Sequence, residues 1–158
     1  MDLQAQIQLL INNAPQDGVT PLLVESIAPG LRALAEKLSH SQYYILQNMH
    51  KEWVLTTLSK RTNPKQEKRV VYAFPTSKDV FIESEMASDP SMIAAPTPVI
   101  HILFQLIALE PVDSIVFFET PGTTQNAMEV KRLELQKLVQ QTLEQKNSAV
   151  NHIPPDIA

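Results

Sequence analysis

His101 and Gln105 are the two residues whose types and spacing best suit a binding site. The apolar run around them predicts a buried helix over 98–109, with a short strand as the alternative. On that helix Thr97, His101 and Gln105 follow at intervals of four and share one polar stripe. An imidazole on a rigid helix suits acid, base or ligand chemistry. The simpler interpretation is a solvent-facing stripe or a satisfied hydrogen-bond network, with Thr97 as the helix cap.

No metal or cofactor site is predicted elsewhere in the chain. His40, His50 and His152 are distant from His101 in sequence, and no HxH or HExxH spacing occurs. The chain has no cysteine, which excludes disulfides, thiolate metal sites, iron–sulfur clusters and cysteine nucleophiles. Its three glycines are too widely spaced for a phosphate-binding loop or a nucleophile elbow. We therefore predict no catalytic residue, and the sequence favours a protein that is not an enzyme.

The segment 119–124 combines a turn with two threonines. A strand that leads through Pro121 and Gly122 into a helix would point free N–H groups at an anion. Glu119 would repel such an anion, so the predicted role is a turn followed by a helix that Thr123 or Thr124 caps.

Charge is unevenly distributed along the middle of the chain. Residues 51–70 carry six basic groups against two acidic ones, a net charge of +4, whereas 78–119 carry one lysine against seven acidic groups, a net charge of −6. Opposed blocks of charge favour self-association or an acidic protein partner. The alternative is a solvated loop whose charges protect strand edges. The candidate partner-binding residues are Lys60, Arg61, Lys65, Lys68 and Arg69.

The overall charge argues against a nucleic-acid partner and against an anionic membrane surface. The net charge is −4 and the pI is near 5.5. No segment reaches the ~18 uninterrupted apolar residues of a membrane helix, and the N-terminus lacks the basic region of a secretory signal. These features predict a cytoplasmic protein without membrane insertion.

Hydrophobic periodicity places helices at both ends and strands between them. A first helix begins after Asp2, its predicted cap. A second begins with Thr20 as its predicted cap and Pro21 as its first helical residue, and it is either kinked or split at Pro29 and Gly30. Strands are predicted at 43–47, 53–59, 69–74, 79–82 and 114–119, the first two joined by a hairpin loop at 48–51. A last helix is expected from 123 or 124 to 146, followed by a flexible tail over 147–158.

At 158 residues the chain predicts one α+β domain over 1–146. We expect a mixed or mostly antiparallel sheet of about five strands, with helices packed mainly on one face. The short glutamine-rich helices and the glycine-poor α+β pattern resemble small conserved proteins common in cyanobacteria. That resemblance involves no motif, so it implies no functional residue.

The predicted function is a non-enzymatic protein-interaction or assembly module, which can be homo-oligomeric. The alternative is a small-molecule-binding protein or enzyme with a pocket between the sheet and helix 98–109. A pocket lined by His101 would favour the alternative, and a filled core with an apolar surface patch would favour the module.

Overall fold

A computed structural model describes residues 2–60, 63–83 and 90–151, without the side chains of 60, 63–66, 82–83, 143 and 145–151. This part of the chain forms five helices and six strands. The helices are α1 (Leu3–Asn13), α2 (Thr20–Glu36), α3 (Ser77–Glu83), α4 (Val99–Ala108) and α5 (Arg132–Asn151). The strands are β1 (Gln42–Gln47), β2 (Thr56–Lys60), β3 (Asn63–Phe74), β4 (Ile93–Pro98), β5 (Ser114–Phe118) and β6 (Ala127–Lys131).

The six strands form one open sheet of mixed direction, which confirms the α+β class. Its order is β4-β1-β3-β5-β6, and β2 also pairs with β3. Among the described strands, every pairing is antiparallel except that between β3 and β5. The three strands predicted from 43 to 74 and the one predicted at 114–119 all lie in this sheet, as expected.

The hairpin loop predicted at 48–51 is present, but it joins β1 to only a single bridged residue. The Asn48 N–H donates to the Glu52 carbonyl at 3.0 Å, and Gln47 forms an antiparallel bridge with Trp53. β2 begins at Thr56 and does not pair with β1. β1 and β2 both pair with β3 instead. β1 pairs with Ala73 and Phe74, and β2 pairs with the part of β3 that runs back from Val70 to Asn63. The two strands therefore follow one another along the same edge of β3, because β5 occupies the other edge.

Most of the helical packing lies on one face of the sheet. The main core joins buried residues of α1, α2, α4 and α5 to alternate strand residues such as Tyr43, Ile115 and Phe117. A smaller cluster on the opposite face joins Val80 of α3 to Phe74 and Phe118. This arrangement fits the period of two along a strand, which sends alternate side chains to opposite faces. No helix in the described ranges is long and apolar enough to span a bilayer.

The start of α2 is capped by a residue that lies upstream of the predicted cap. Thr20 is the first helical residue, and the Asp17 carboxylate accepts the N–H groups of Val19 and Thr20 at 2.8 and 2.7 Å. Hydrogen bonds from Thr20 and Val19 lower the pKa of Asp17 to about 2. α2 continues through Pro29 without a break, so the helix is not split at this residue.

Three further expectations are wrong. The segment predicted as a strand at 79–82 belongs to helix α3, and Thr76 caps the start of this helix. The Thr76 hydroxyl oxygen accepts the Asp79 N–H, and the same hydroxyl donates to the Asp79 carboxylate. Thr97 is not a helix cap, since it lies in β4 and donates to the Ala95 carbonyl. The last helix does not begin near residue 123. Residues 127–131 form β6, which pairs with β5, and α5 starts only at Arg132.

The predicted domain end at 146 and the tail after it stay predictions. In the structure α5 continues to Asn151, and residues 152–158 lie outside the described part of the chain.

Candidate functional site

An open cleft of about 640 Å³ lies between α1 and α4, beside the end of β4. Both predicted ligand-binding residues, His101 and Gln105, line it. The pocket predicted between the sheet and helix 98–109 is present in part: Gln47, Pro96 and Thr97 of the sheet line the cleft together with α4, and α1 supplies a further wall that was not predicted. The α1 wall consists of Gln6, Leu9, Leu10 and Asn13, and the α4 wall of His101, Phe104, Gln105 and Ala108.

Gln6 fixes the position of α1 relative to α4. Its side chain is only 4% exposed although it is polar. The amide nitrogen donates to the Ser41 carbonyl at 2.8 Å, and the amide oxygen accepts the Ile100 N–H at 3.0 Å. That N–H is one of the donors that the first turn of a helix leaves without a partner inside the helix. A buried contact therefore fixes the position of α1 against the first turn of α4.

Four polar side chains at the cleft have unused hydrogen-bonding capacity. The side chains of Asn13, Gln47, His101 and Gln105 make no hydrogen bond to another described residue, and all four are exposed or half-buried. Amide and imidazole groups can both donate and accept. They surround an apolar lining formed mainly by leucine, alanine, proline and phenylalanine side chains. The cleft can therefore bind an apolar group and hydrogen-bond to neutral polar groups at its margin.

Three of the elements that border this cleft, α1, β4 and α4, are free of formal charge. No Asp, Glu, Lys or Arg occurs in α1, β4 or α4, although these types make up 19% of the chain. The described lining residues of the cleft also include none of them. We call the exposed side chains of α1, β4 and α4, together with the cleft, the charge-free face.

The basic residues predicted to bind a partner are only partly described. Arg61 lies outside the described residues, and the structure does not describe the side chains of Lys60 and Lys65. Lys68 forms an ion pair with Glu129 of β6. The Arg69 side chain is exposed and makes no hydrogen bond to another described residue. The partner-binding role of this set stays a prediction.

The ion pair of Lys68 connects β3 to β6, which lie on either side of β5 in the sheet. Glu129 also accepts a hydrogen bond from the buried Ser114 hydroxyl at 2.7 Å. Partial burial favours the neutral form of Glu129, but the hydrogen bonds from Lys68 and Ser114 outweigh it and hold the pKa of this carboxyl below its usual value. Lys68 therefore has a structural partner, unlike Arg69.

We expect Lys68→Glu to destabilise the protein by up to about 1 kcal/mol, because the pair is partly exposed and therefore weakened by solvent. The double variant Lys68→Glu/Glu129→Lys should recover only part of this loss, because a lysine at position 129 cannot accept the hydrogen bond of the buried Ser114 hydroxyl. Urea unfolding measures both effects, with Arg69→Glu as the control on the neighbouring residue. Equal unfolding midpoints for Lys68→Glu and Arg69→Glu would contradict a structural role for the pair.

A second polar cluster, which the sequence did not indicate, ties the start of β1 to the end of β5. The Tyr43 hydroxyl, fully buried, donates to Glu119 at 2.9 Å, and the Ser39 N–H donates to the other Glu119 oxygen at 2.6 Å. One ring nitrogen of His40 lies 2.7 Å from the Glu119 carbonyl oxygen. Burial, followed by the hydrogen bond and charge of Glu119, raises the pKa of Tyr43 far above its usual value. These contacts fasten the sheet, since each connects residues distant in sequence.

The turn at 121–122 is not an anion site. A strand rather than a helix follows it, and the Gly122 N–H donates to the Asp79 carboxylate at 2.8 Å. The donor that an anion would need is therefore already bound to a carboxylate.

The described residues contain no cluster of three or more potential metal ligands. No known protein family matches the sequence, and no curated protein is significantly similar to it. The resemblance to small cyanobacterial proteins therefore stays a prediction.

Proposed function

We propose that the protein is a non-enzymatic interaction module of the cytoplasm, which binds a protein partner on the charge-free face. The observation that carries this proposal is the lack of charge along three adjacent elements in a chain that is otherwise 19% charged. The central part of a protein–protein interface is depleted of charged residues, because a charge there must be desolvated.

Exposed apolar side chains near the cleft support the same function. Leu9 of the α1 wall is 42% exposed. At the start of α2, where Thr20 lines the cleft, Val19 and Leu22 are 67% and 57% exposed. Adjacent apolar side chains that remain in contact with water are typical of a surface that a partner covers.

The composition of the cleft favours binding over catalysis. General acid–base chemistry at His101 would be assisted by a carboxylate that orients the ring or shares its proton. The described lining residues of the cleft supply only amides, hydroxyls and apolar groups around this imidazole. Such groups bind and orient a partner.

The test compares Leu9→Glu, on the charge-free face, with Leu133→Glu at an exposed leucine of α5. Each purified protein is immobilised, and proteins retained from a lysate of its natural cells are quantified. We expect a partner that wild type and Leu133→Glu retain equally and that Leu9→Glu retains at roughly a tenth or less, because a buried unpaired charge costs more than 1.4 kcal/mol.

Thermal melts must show that both variants fold. Equal recovery by the two variants would place the interface elsewhere and refute the proposal. Light scattering on the same proteins tests self-association: a dimer that Leu9→Glu dissociates would identify the partner as a second copy of the chain.

The cleft volume favours small-molecule binding as the second candidate function. About 640 Å³ lies within the range of roughly 300–1,000 Å³ that is usual for ligand sites, and neutral polar groups surround the apolar lining. A neutral, mainly apolar compound recovered by mass spectrometry from wild type, and absent from Leu9→Glu, would favour this candidate over the protein partner.

A further inference from the structure

We infer that two copies of the chain pair along the outer edge of β6, so that their sheets join in antiparallel direction about a twofold axis. β6 forms one end of the strand order β4-β1-β3-β5-β6, and the charge-free face borders β4 at the other end. The contact therefore lies outside the surface that carries the proposed function, and it does not rest on that function.

The backbone of β6 presents donors and acceptors on its outer side at alternate residues. The ladder between β5 and β6 ends where the Arg132 N–H donates to the Asp113 carbonyl at 2.9 Å. In an antiparallel pair, residues that bond to the neighbouring strand alternate with residues whose N–H and C=O point away from it. Ala127, Glu129 and Lys131 therefore point away from β5, and all three are exposed. No other described strand lies along that side of β6.

The opposite edge of the sheet, β4, cannot accept a further strand in the same way. The Val99 N–H donates to the Ser41 carbonyl at 3.0 Å, so positions 93, 95 and 97 bond to β1 and positions 94, 96 and 98 point outward. Two of these outward residues are Pro96 and Pro98, which have no N–H to donate. β6 contains no proline. Strand addition is therefore blocked beside the charge-free face and open at β6.

The charges on β6 favour a second copy as the added strand. Glu129 and Lys131 lie two positions apart and therefore on the same face of the strand. In one antiparallel register, Glu129 lies opposite Lys131 of the other copy, and twofold symmetry forms this pair of opposite charges twice. A register that sets Glu129 opposite Glu129 brings two carboxylates together, which is destabilising. The edge is thus complementary to itself in a defined register.

Both side chains have capacity for this contact. The hydrogen bonds that Glu129 accepts from Lys68 and Ser114 both end on Oε2, and its Oε1 accepts none from a described residue. Lys131 is exposed and makes no hydrogen bond or ion pair with a described residue. The intermolecular pair can therefore form without breaking a contact within the chain.

The edge of β2 is also free, but it is less suited to pairing. The Asp113 N–H donates to the Arg69 carbonyl at 2.8 Å, which turns the odd-numbered residues of β3 toward β5 and the even-numbered ones toward β2. The outward residues of β2 are therefore Thr57 and Ser59, and the ladder becomes irregular after Ser59. Neither residue carries a charge that would fix a register, so this edge provides the control.

Pairing at β6 would join the two sheets into one and place a charge-free face at each outer end. Each copy would keep its own cleft accessible, because the contact lies at the far end of the sheet from β4. A partner with two binding segments could then engage both copies, which raises its apparent affinity.

The experiment measures the dimerisation constant of the full chain by equilibrium sedimentation. Lys131→Pro removes an outward N–H that the fold does not use, and Thr57→Pro makes the same change at the edge of β2. We expect a wild-type dimer that Thr57→Pro preserves. Lys131→Pro should weaken it at least about tenfold, because both copies lose a backbone donor and an ion pair.

Lys131→Glu keeps the backbone N–H and tests the charge pair on its own. It should weaken the dimer roughly tenfold at low salt and less at high salt, whereas Lys131→Arg should preserve it. Thermal melts verify that each variant folds, and Lys131→Glu remains decisive if the proline variant does not. Amide hydrogen exchange should slow at Glu129 and Lys131 as the protein concentration rises.

A wild-type monomer at about 1 mM would overturn the inference. So would a dimer that Lys131→Glu leaves intact, or concentration-dependent protection that excludes β6. A dimer that Leu9→Glu dissociates and Lys131→Glu does not would reject the β6 contact and place self-association on the charge-free face. Retention of natural partners by Leu9→Glu, by contrast, bears on the proposed function alone.

Discussion

Gln6→Leu is expected to lower the free energy of unfolding by about 1–3 kcal/mol, the cost of one buried donor that loses its acceptor. Leucine fills a similar volume but leaves the Ile100 N–H without its side-chain acceptor, whereas the Ser41 carbonyl still accepts the Val99 N–H at 3.0 Å. Each buried group that loses its hydrogen bond costs about 1–3 kcal/mol. Urea unfolding followed by circular dichroism measures the loss.

Gln8→Leu is the matched control for this prediction. Gln8 lies on the exposed side of the same helix, where it bonds only to Asn12 at 3.0 Å. Its replacement should change stability by less than about 0.5 kcal/mol. Equal losses for the two variants would show that the buried contact contributes nothing particular. Since Gln6 fixes the position of α1 against α4, its loss should also weaken partner binding in the folded fraction.

Tyr43→Phe is expected to destabilise the protein by about 1–3 kcal/mol at neutral pH. The substitution keeps the ring contact with Phe117, whose centroid lies 4.9 Å away, and removes only the hydroxyl. Glu119 then loses a donor at 2.9 Å, and the His40 N–H loses an acceptor at 3.3 Å. Tyr44→Phe serves as control, since that half-buried hydroxyl makes no hydrogen bond to a described residue.

The contribution of the Tyr43 hydroxyl should depend on pH in a defined direction. Burial and Glu119 raise the pKa of Tyr43 in the folded state above the value of about 10 in the unfolded chain. The folded state therefore holds this proton more tightly, so the stabilisation is complete below pH 10 and decreases as pH rises above it. The stability difference between wild type and Tyr43→Phe should narrow between pH 9 and 11, about one unit on either side of the unfolded pKa of ~10. A constant difference would contradict the shifted pKa.

Local sequence signals determined several elements of this protein without help from tertiary contacts. The apolar spacing of α1 and the Asp2 cap, which accepts the Ala5 N–H at 2.7 Å, both act within a few residues. The apolar run of β5 is similarly self-contained, with four of its five residues buried. The spacing of His101 and Gln105 placed them on one side of α4, and both indeed line one cleft. The capping pair of Thr76 and Asp79 was also present in the sequence, and it indicates a helix rather than the strand predicted there.

Only the tertiary structure decided where these elements meet. Residues 127–131 read locally as part of a long helix, but pairing with β5 along all five residues makes them a strand. The second wall of the cleft comes from α1, about ninety residues before α4 in the chain, through a contact of Gln6 that has no local signature. Helical and strand periods arise from backbone geometry over one or two turns, so a sequence displays them directly. The pairing of distant elements depends instead on which buried surfaces and polar groups satisfy one another, and that is a property of the whole packed chain.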